Sequence, residues 1–246
     1  MIKLSHRLQS ISDLITKPYD HIWDCCCDHG HLGMQLLIEQ KASNIHFVDI
    51  VPSLMTELEA TLSQHFVDDN LGNQDSETAQ QWYVHCMDMS QLPLAVHKGK
   101  HLVVIAGVGG ELTQTLIEAV ISNNPNISLD FLLCPVHQLF ELREYLGKGD
   151  FSMIDEKLVE ENRRFYEILH VTYQPSGNEL AGTHLHQHKV SPVGNKIWLP
   201  NSEQEQHVIE KYKQRTLQHY QRISFGLEKQ GKPNSVAHII EHYQAV

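Results

Sequence analysis

The chain has 246 residues, 41% of them apolar and 20% charged, an ordinary globular mixture that can fill a sizeable core and excludes disordered, collagen-like and disulfide-scaffold classes. Its net charge of −11 argues against indiscriminate nucleic-acid binding, but the excess is local: residues 1–138 hold 6 Lys/Arg against 16 Asp/Glu, whereas residues 139–246 hold 13 against 14. No membrane span is expected, because the longest apolar stretch, His101–Val108, is far short of the roughly 20 residues that crossing a bilayer needs.

In chain order, short β-branched runs alternate with longer polar–apolar periods, the pattern of a parallel sheet with crossover helices. Helical periods are predicted at Leu4–Leu14, His31–Gln40, Leu54–Phe66, Leu112–Asn123 and Gln138–Gly147. Strands are predicted at His21–Cys26, Ile45–Ile50, Trp82–Cys86, His101–Ala106 and Leu129–Cys134, with Phe151–Leu158 and Phe165–Tyr173 as a closing antiparallel hairpin. Asp68–Thr78 is polar and reads as a surface insertion, and Gln174–Pro200 reads as a connector. Ser202–Phe225 then carries a helical period with Ser202 and Glu205 as a capping box, and Gly231-Lys-Pro233 separates it from a shorter helix at Ser235–Tyr243. A division follows: an α/β domain over residues 1–174, then a connector and helical hairpin over 175–246.

The cysteines at 25, 26, 27, 86 and 134 are odd in number, and three are consecutive, which fits free thiols in a reducing cytoplasm better than disulfides. The start of the chain shows positive charge without an apolar run behind it, so no secretory leader is expected.

The most informative segment is Ile22-Trp-Asp-Cys-Cys-Cys-Asp-His-Gly-His-Leu-Gly33, a strand-to-helix turn of the kind that binds nucleotides. Its glycines do not have the usual dinucleotide spacing. A pyrophosphate would meet Asp28 rather than bare amides, which disfavours NAD or ATP. S-adenosylmethionine fits instead, being cationic at its sulfonium and ammonium and lacking phosphate. Asp49 closes the second predicted strand 25 residues after Asp24, where a carboxylate can accept both ribose hydroxyl protons. Asp88 follows the third, where a carboxylate can accept from an adenine amino group. The fourth predicted strand ends in Ala106-Gly-Val-Gly-Gly110, whose glycines permit close backbone approach. The fifth ends at Cys134-Pro-Val-His137, where Pro135 fixes the chain direction.

Taken together these residues resemble the bacterial tRNA (adenine(22)-N1)-methyltransferase family. The likeness runs through Leu4-Ser-His-Arg-Leu8, Asp24-Cys-Cys-Cys-Asp-His29, Lys41-Ala-Ser43, Asp49, Asp88, Ala106–Gly110, Leu142-Arg-Glu-Tyr-Leu146 and Tyr166-Glu167. Two positions depart: Cys26 stands where the family has glycine, and Cys134-Pro-Val-His137 stands where it has Gln-Pro-Asn. The resemblance implies a Rossmann-like class I methyltransferase sheet with a C-terminal coiled-coil-like helical appendage, and S-adenosylmethionine as cofactor. It implies that N1 of an adenosine in tRNA, extruded from its pair, takes the methyl group.

Under that reading Asp24, Asp28, Gly30, Asp49, Asp88, Ala106 and Gly107 hold the cofactor, and Asp28, His29 and Gly107 surround the transferred methyl. Arg7, Pro135, His137 and Tyr166 belong to the base pocket. Lys211, Arg215 and Arg222, near one face of the long C-terminal helix, meet the RNA backbone. No metal is expected: His184, His186 and His188 read as a solvated connector, and strand burial accounts for Cys25 and Cys26. Two alternatives stay open, a methyltransferase for a small metabolite and a non-catalytic RNA-binding module on the same fold.

Overall fold

The computed structural model describes residues 4–66, 81–175 and 189–246; the expected insertion at Asp68–Thr78 and the three connector histidines lie outside them. Strands β1 (Tyr19–Cys25), β2 (Ala42–Asp49), β3 (Gln81–Cys86), β4 (His101–Ala106) and β5 (Leu129–Cys134) run parallel, and β6 (Phe151–Glu161) and β7 (Arg164–Tyr173) close the sheet antiparallel. The seven strands lie in the order β3-β2-β1-β4-β5-β7-β6. The hairpin is longer than its sequence pattern predicts. Asn162 and Arg163 both adopt left-handed φ, 50° and 62°, so a two-residue turn lets pairing continue to Glu161 and Arg164.

Helices α1 (His6–Asp13), α2 (His31–Ile38) and α3 (Pro52–His65) cover one face of the sheet; α4 (Gly110–Asn123) and α5 (Leu139–Lys148) cover the other. Strand residues alternate between the two cores. Ile22, Ile45, Phe47 and Val104 pack with Leu36, Leu58 and Leu62, while Trp23, Cys25, Val103, Ile105 and Phe131 pack with Ile117, Val120 and Leu146. α3 opens two residues before its apolar period because Pro52 sits in its first turn, where a missing N–H costs nothing.

The C-terminal hairpin consists of α6 (Glu203–Lys229) and α7 (Ala237–Ala245). Ser202 caps α6 by accepting from the Glu205 amide at 3.2 Å, and Glu205 reaches back to the Asn201 amide at 2.7 Å, one residue beyond the reciprocal bond of an ideal capping box. A third core, of Phe140, Val193, Ile197, Tyr212, Ile239 and Tyr243, seats this hairpin on α5 and on the last two strands.

Beneath that core lies a buried ion cluster. Arg143 on α5 has no exposed surface; its Nε donates to Glu167 at 2.6 Å, Nη2 to Glu156 at 2.7 Å and Nη1 to the Ser191 carbonyl at 3.2 Å. Glu156 also accepts from the Asn195 and Lys196 amides, each at 2.6 Å, and the Tyr212 hydroxyl donates to Glu167. Burial pushes the Glu156 carboxyl up, but Arg143 and those amides outweigh it and hold it below its usual value. Removing one partner leaves a buried charge unmatched. Arg143→Met should therefore cost about 3–5 kcal/mol and Tyr212→Phe about 1–3 kcal/mol, read as shifts in the urea-unfolding midpoint. A loss below about 0.5 kcal/mol in both would show that the cluster does not hold the hairpin down.

Candidate functional site

The strand order reverses between β1 and β4, so the loops leaving their carboxyl ends diverge and open a crevice, the usual ligand position of a doubly wound sheet. A cavity of about 350 Å³ lies there. Its walls are Asp24 to His29 at the end of β1 and in the loop beyond it, Ala106 to Val108 at the end of β4 and beyond it, His31 and Leu32 of α2, and Arg7 and Leu8 of α1. Of the site residues expected from sequence, it gathers Arg7, Asp24, Asp28, His29, Ala106 and Gly107.

The first loop is tightly laced. Buried Asp24 accepts from the Gly33 amide at 2.9 Å, and Gly33 must lack a side chain because a Cβ would lie 2.2 Å from the Phe47 ring. Burial pushes the Asp24 carboxyl up to about 7; the Gly33 amide opposes this and the charge of Asp49 reinforces it. Cys26 and Asp28 both adopt left-handed φ, 56° and 51°, a conformation that costs a side-chain-bearing residue roughly 1–2 kcal/mol. Gly30 does not line the cavity. It caps α2 at φ 68° and is packed so closely on Leu58 that a Cβ would stand 2.6 Å from it, so its role is to turn the chain.

Asp49 and Asp88 stand beside the cavity rather than in its wall. Asp49 accepts from the Asp28 amide at 3.2 Å and the Val51 amide at 3.1 Å, tying the first loop to the end of β2. Asp88 accepts from the Ser90 amide at 2.8 Å and caps a short 3-10 turn, Met89–Gln91. All three acids act on one thiol: burial pushes Cys26 up to about 11, and Asp49, Asp24 and Asp88 add to it in that order. Among the described residues no lysine or arginine pairs with any of the three.

The opposite wall is open backbone. Gly107 has φ 89° and nothing within 4 Å of where a Cβ would stand, so this stretch can be approached closely. Its amide donates to the Cys134 carbonyl at 3.2 Å, and the Val136 amide donates to the Val108 carbonyl at 2.9 Å, which stitches the turn after β4 to the turn after β5. His137 lies across Gly109, where a Cβ would meet its imidazole at 2.2 Å. His137 is exposed beside that turn, whereas Pro135 is buried, and neither lines the cavity. At the cavity floor the Arg7 guanidinium sits 4.9 Å over the Tyr166 ring, so Tyr166 is reached through Arg7 rather than directly.

The basic helix differs from expectation. Lys211 pairs with Glu160 at 3.7 Å, and Arg215 donates to the Arg163 carbonyl at 2.5 Å with its guanidinium 5.5 Å over Phe165. Both fasten α6 to the β6–β7 turn instead of standing free. Arg222 is exposed and turned back on the Gln218 carbonyl of its own helix, and Lys229 and Lys232 are exposed beyond it. Sequence reasoning did not name Leu8, Cys25, Cys26, Cys27, His31, Leu32 and Val108 in the wall; each lies within two positions of a residue it did name, and only the fold turns it inward.

Residues 4–169 match a family model described as a methyltransferase domain. Among curated proteins, the tRNA (adenine(22)-N(1))-methyltransferase of Bacillus subtilis is 24% identical over 173 residues, 68% of this chain and 64% of that protein. A putative tRNA methyltransferase of Mycoplasma pneumoniae is 24% identical over 170 residues, 68% of this chain and 71% of that protein. The sequence alignment thus spans less than two thirds of the Bacillus protein.

Among solved structures, the B. subtilis M1A22 tRNA methyltransferase superposes with a TM-score of 0.69 at 22% identity, covering 100% of this chain and 99% of that one. A putative tRNA (m1A22) methyltransferase of Streptococcus pneumoniae, in complex with S-adenosyl-L-methionine, gives 0.65 at 18% identity with 99% of each chain covered. At these identities the structural likeness is one of fold, and it extends over the C-terminal helices.

Proposed function

The chain belongs to the methyltransferase domain family, and on that premise we propose that it transfers a methyl group from S-adenosylmethionine to N1 of an adenosine in tRNA, at the nucleotide named for its Bacillus relative. The observation that carries the reading is the set of three carboxylates, Asp24, Asp49 and Asp88, converging on the first loop with no ion pair to a lysine or arginine among the described residues. A site built this way favours a ligand that brings its own positive charge and hydroxyl donors and carries no phosphate.

Bound S-adenosylmethionine supplies an electrophilic methyl on a sulfonium. The rest is the work of this chain. Asp28 offers negative charge at the cavity wall, a cationic ligand would favour the ionised form of Asp24 beside it, and Asp49, with each oxygen already taking one amide, keeps lone pairs for ribose hydroxyls. The uncrowded backbone at Gly107 leaves room for the target base to approach the methyl in line. Adenine N1 carries its own lone pair, so no strong base is needed; positioning, and acceptors that tolerate the cationic product, supply the catalysis. Arg7 over Tyr166 offers a flat cationic surface at the floor against which a base can stack.

The RNA reading rests on the exposed basic end of α6, at Arg222, Lys229 and Lys232, rather than on Lys211 and Arg215, whose charges are engaged in docking. Because α6 and α7 also bury Tyr212, Ile239 and Tyr243 against the sheet domain, the two proposed units, residues 1–174 and 175–246, share a core, and removing the hairpin would expose it. A tRNA substrate and five free thiols favour the cytoplasm, and among the described residues no helix is long and apolar enough to cross a membrane.

Calorimetry should find S-adenosylmethionine and its demethylated product binding at micromolar levels, about 8 kcal/mol, with no heat from NAD or ATP. Silence with both methionine ligands at tenfold excess would favour a non-catalytic RNA-binding module. Asp49→Ala should weaken cofactor binding by about 1.5–3 kcal/mol with little change in melting temperature; normal affinity with a collapsed melting temperature would make Asp49 a structural cap. Reversing charge at Arg222, Lys229 and Lys232 should lower tRNA affinity and flatten its salt dependence by about one unit of slope for each phosphate no longer neutralised. Unaltered tRNA binding in that variant would shift the substrate towards a small metabolite.

A further inference from the structure

On the α4 face of the sheet, five histidines from four segments lie side by side: His21 on β1, His46 on β2, His85 on β3, and His97 and His101 at the entry to β4. His46 has no exposed surface and His21 has 8%. The register places Trp23, His46 and Tyr83 opposite one another on adjacent strands. Their rings stack, with His46 3.8 Å from Trp23 and 4.9 Å from Tyr83 between centroids. The His46 imidazole is thus clamped on both sides and holds one orientation.

The nitrogens are equally ordered. His21 Nδ1 lies 3.0 Å from His46 Nε2, and His46 Nδ1 lies 3.0 Å from His85 Nε2. His101 is committed elsewhere: its Nδ1 accepts from the Trp23 indole at 3.2 Å, and its Nε2 faces the His97 carbonyl at 3.2 Å. The His97 ring has no hydrogen-bond partner among the described residues, yet one of its nitrogens lies within 4.8 Å of a nitrogen of His21 and one of His46.

We propose that His21, His46 and His97 form a three-imidazole site for a divalent transition metal of the zinc class, separate from the methyltransferase cavity, whose wall includes none of the three. This departs from the sequence expectation of no metal. Tetrahedral zinc with Zn–N bonds of about 2.05 Å separates its ligand nitrogens by about 3.3 Å. The His21–His46 pair already stands near that spacing, and His97, half-buried on a loop, has the shortest adjustment to make.

The surrounding groups suit ligation. With metal on His46 Nε2, its Nδ1–H donates to His85, and the His21 ring has a backbone partner at Lys98, so two of the three ligand rings have a partner for the remaining proton. Three neutral imidazoles without a thiolate or carboxylate match zinc, cobalt, nickel or copper rather than magnesium or calcium. His97 also lines a separate cavity of about 660 Å³ at the amino-terminal edge of the sheet, which supplies a route for entry and room for a water in the fourth position.

The test is cobalt(II) titration of full-length protein stripped with a chelator. The site predicts one equivalent bound, with the visible bands of a tetrahedral nitrogen-ligated ion and without the near-ultraviolet thiolate-to-cobalt band that Cys25–Cys27 would produce. His97→Gln, a loop substitution, should weaken binding by roughly tenfold or more, whereas the triple variant His184→Ala, His186→Ala, His188→Ala should bind as the parent does. The wild-type spectrum stands as a test even if His97→Gln fails to fold. Absence of stoichiometric cobalt, a thiolate band, equal binding in His97→Gln, or loss in the connector variant would each overturn the proposal and leave the His21–His46 contact a plain hydrogen bond.

Discussion

Arg143 has to be neutralised where it sits, and both carboxylates that do so, Glu156 on β6 and Glu167 on β7, belong to the hairpin that closes the sheet. The second oxygens of those carboxylates then recruit what lies outside: Glu156 takes the amides of Asn195 and Lys196, and Glu167 takes the hydroxyl of Tyr212 from α6. One guanidinium therefore registers α5, the last two strands, the end of the connector and the long helix together. A buried ion pair is weak evidence for stability in itself, since desolvation offsets most of the attraction. Its value lies in specifying one arrangement, because a shifted α6 would leave Glu167 buried and under-bonded.

That arrangement fixes the relation of the basic helix to the crevice. Lys211 and Arg215 grip the turn at Asn162–Arg163, and the same hairpin carries Tyr166, on which Arg7 rests at the floor of the cavity. α6 is thus joined through the β6–β7 hairpin to the cavity floor by packed side chains. On the proposed reading, an RNA held by the far end of α6 presents its target base to a site whose distance from that helix is set by buried groups.

Much of this was legible in the residues. Five β-branched runs, four of them followed by a helical period, specify a parallel sheet, and Asp24, Asp49 and Ala106–Gly110 fall where strand ends must fall. The acids are legible because three of them fall near successive strand ends; a single one is more often a turn or cap residue, and that capping is realised here by Asp49 and Asp88. Gly30 was misleading: a glycine beside a ligand loop suggests ligand approach, but its position answers to Leu58, a residue 28 positions away in sequence. Lys211 and Arg215 misled for a related reason, since helical spacing gives a shared face but not what that face touches. Arg143 and Glu167 stand out in the sequence as separate motifs, but their pairing and the stacking of the histidines could not be read from it. The residues involved come from separate elements, and only the register of β1, β2, β3 and β4 brings the histidines into contact.

The central claim is that the acid-lined crevice is a methyl-transfer site for adenosine in RNA. The direct measurement is to incubate the purified full chain with methyl-labelled S-adenosylmethionine and unmodified tRNA, digest the RNA to nucleosides and separate them by mass spectrometry. Label is expected in N1-methyladenosine, formed by the parent protein and strongly reduced in Asp49→Ala. Label in another nucleoside, or none in RNA despite measurable cofactor binding, would contradict the claim.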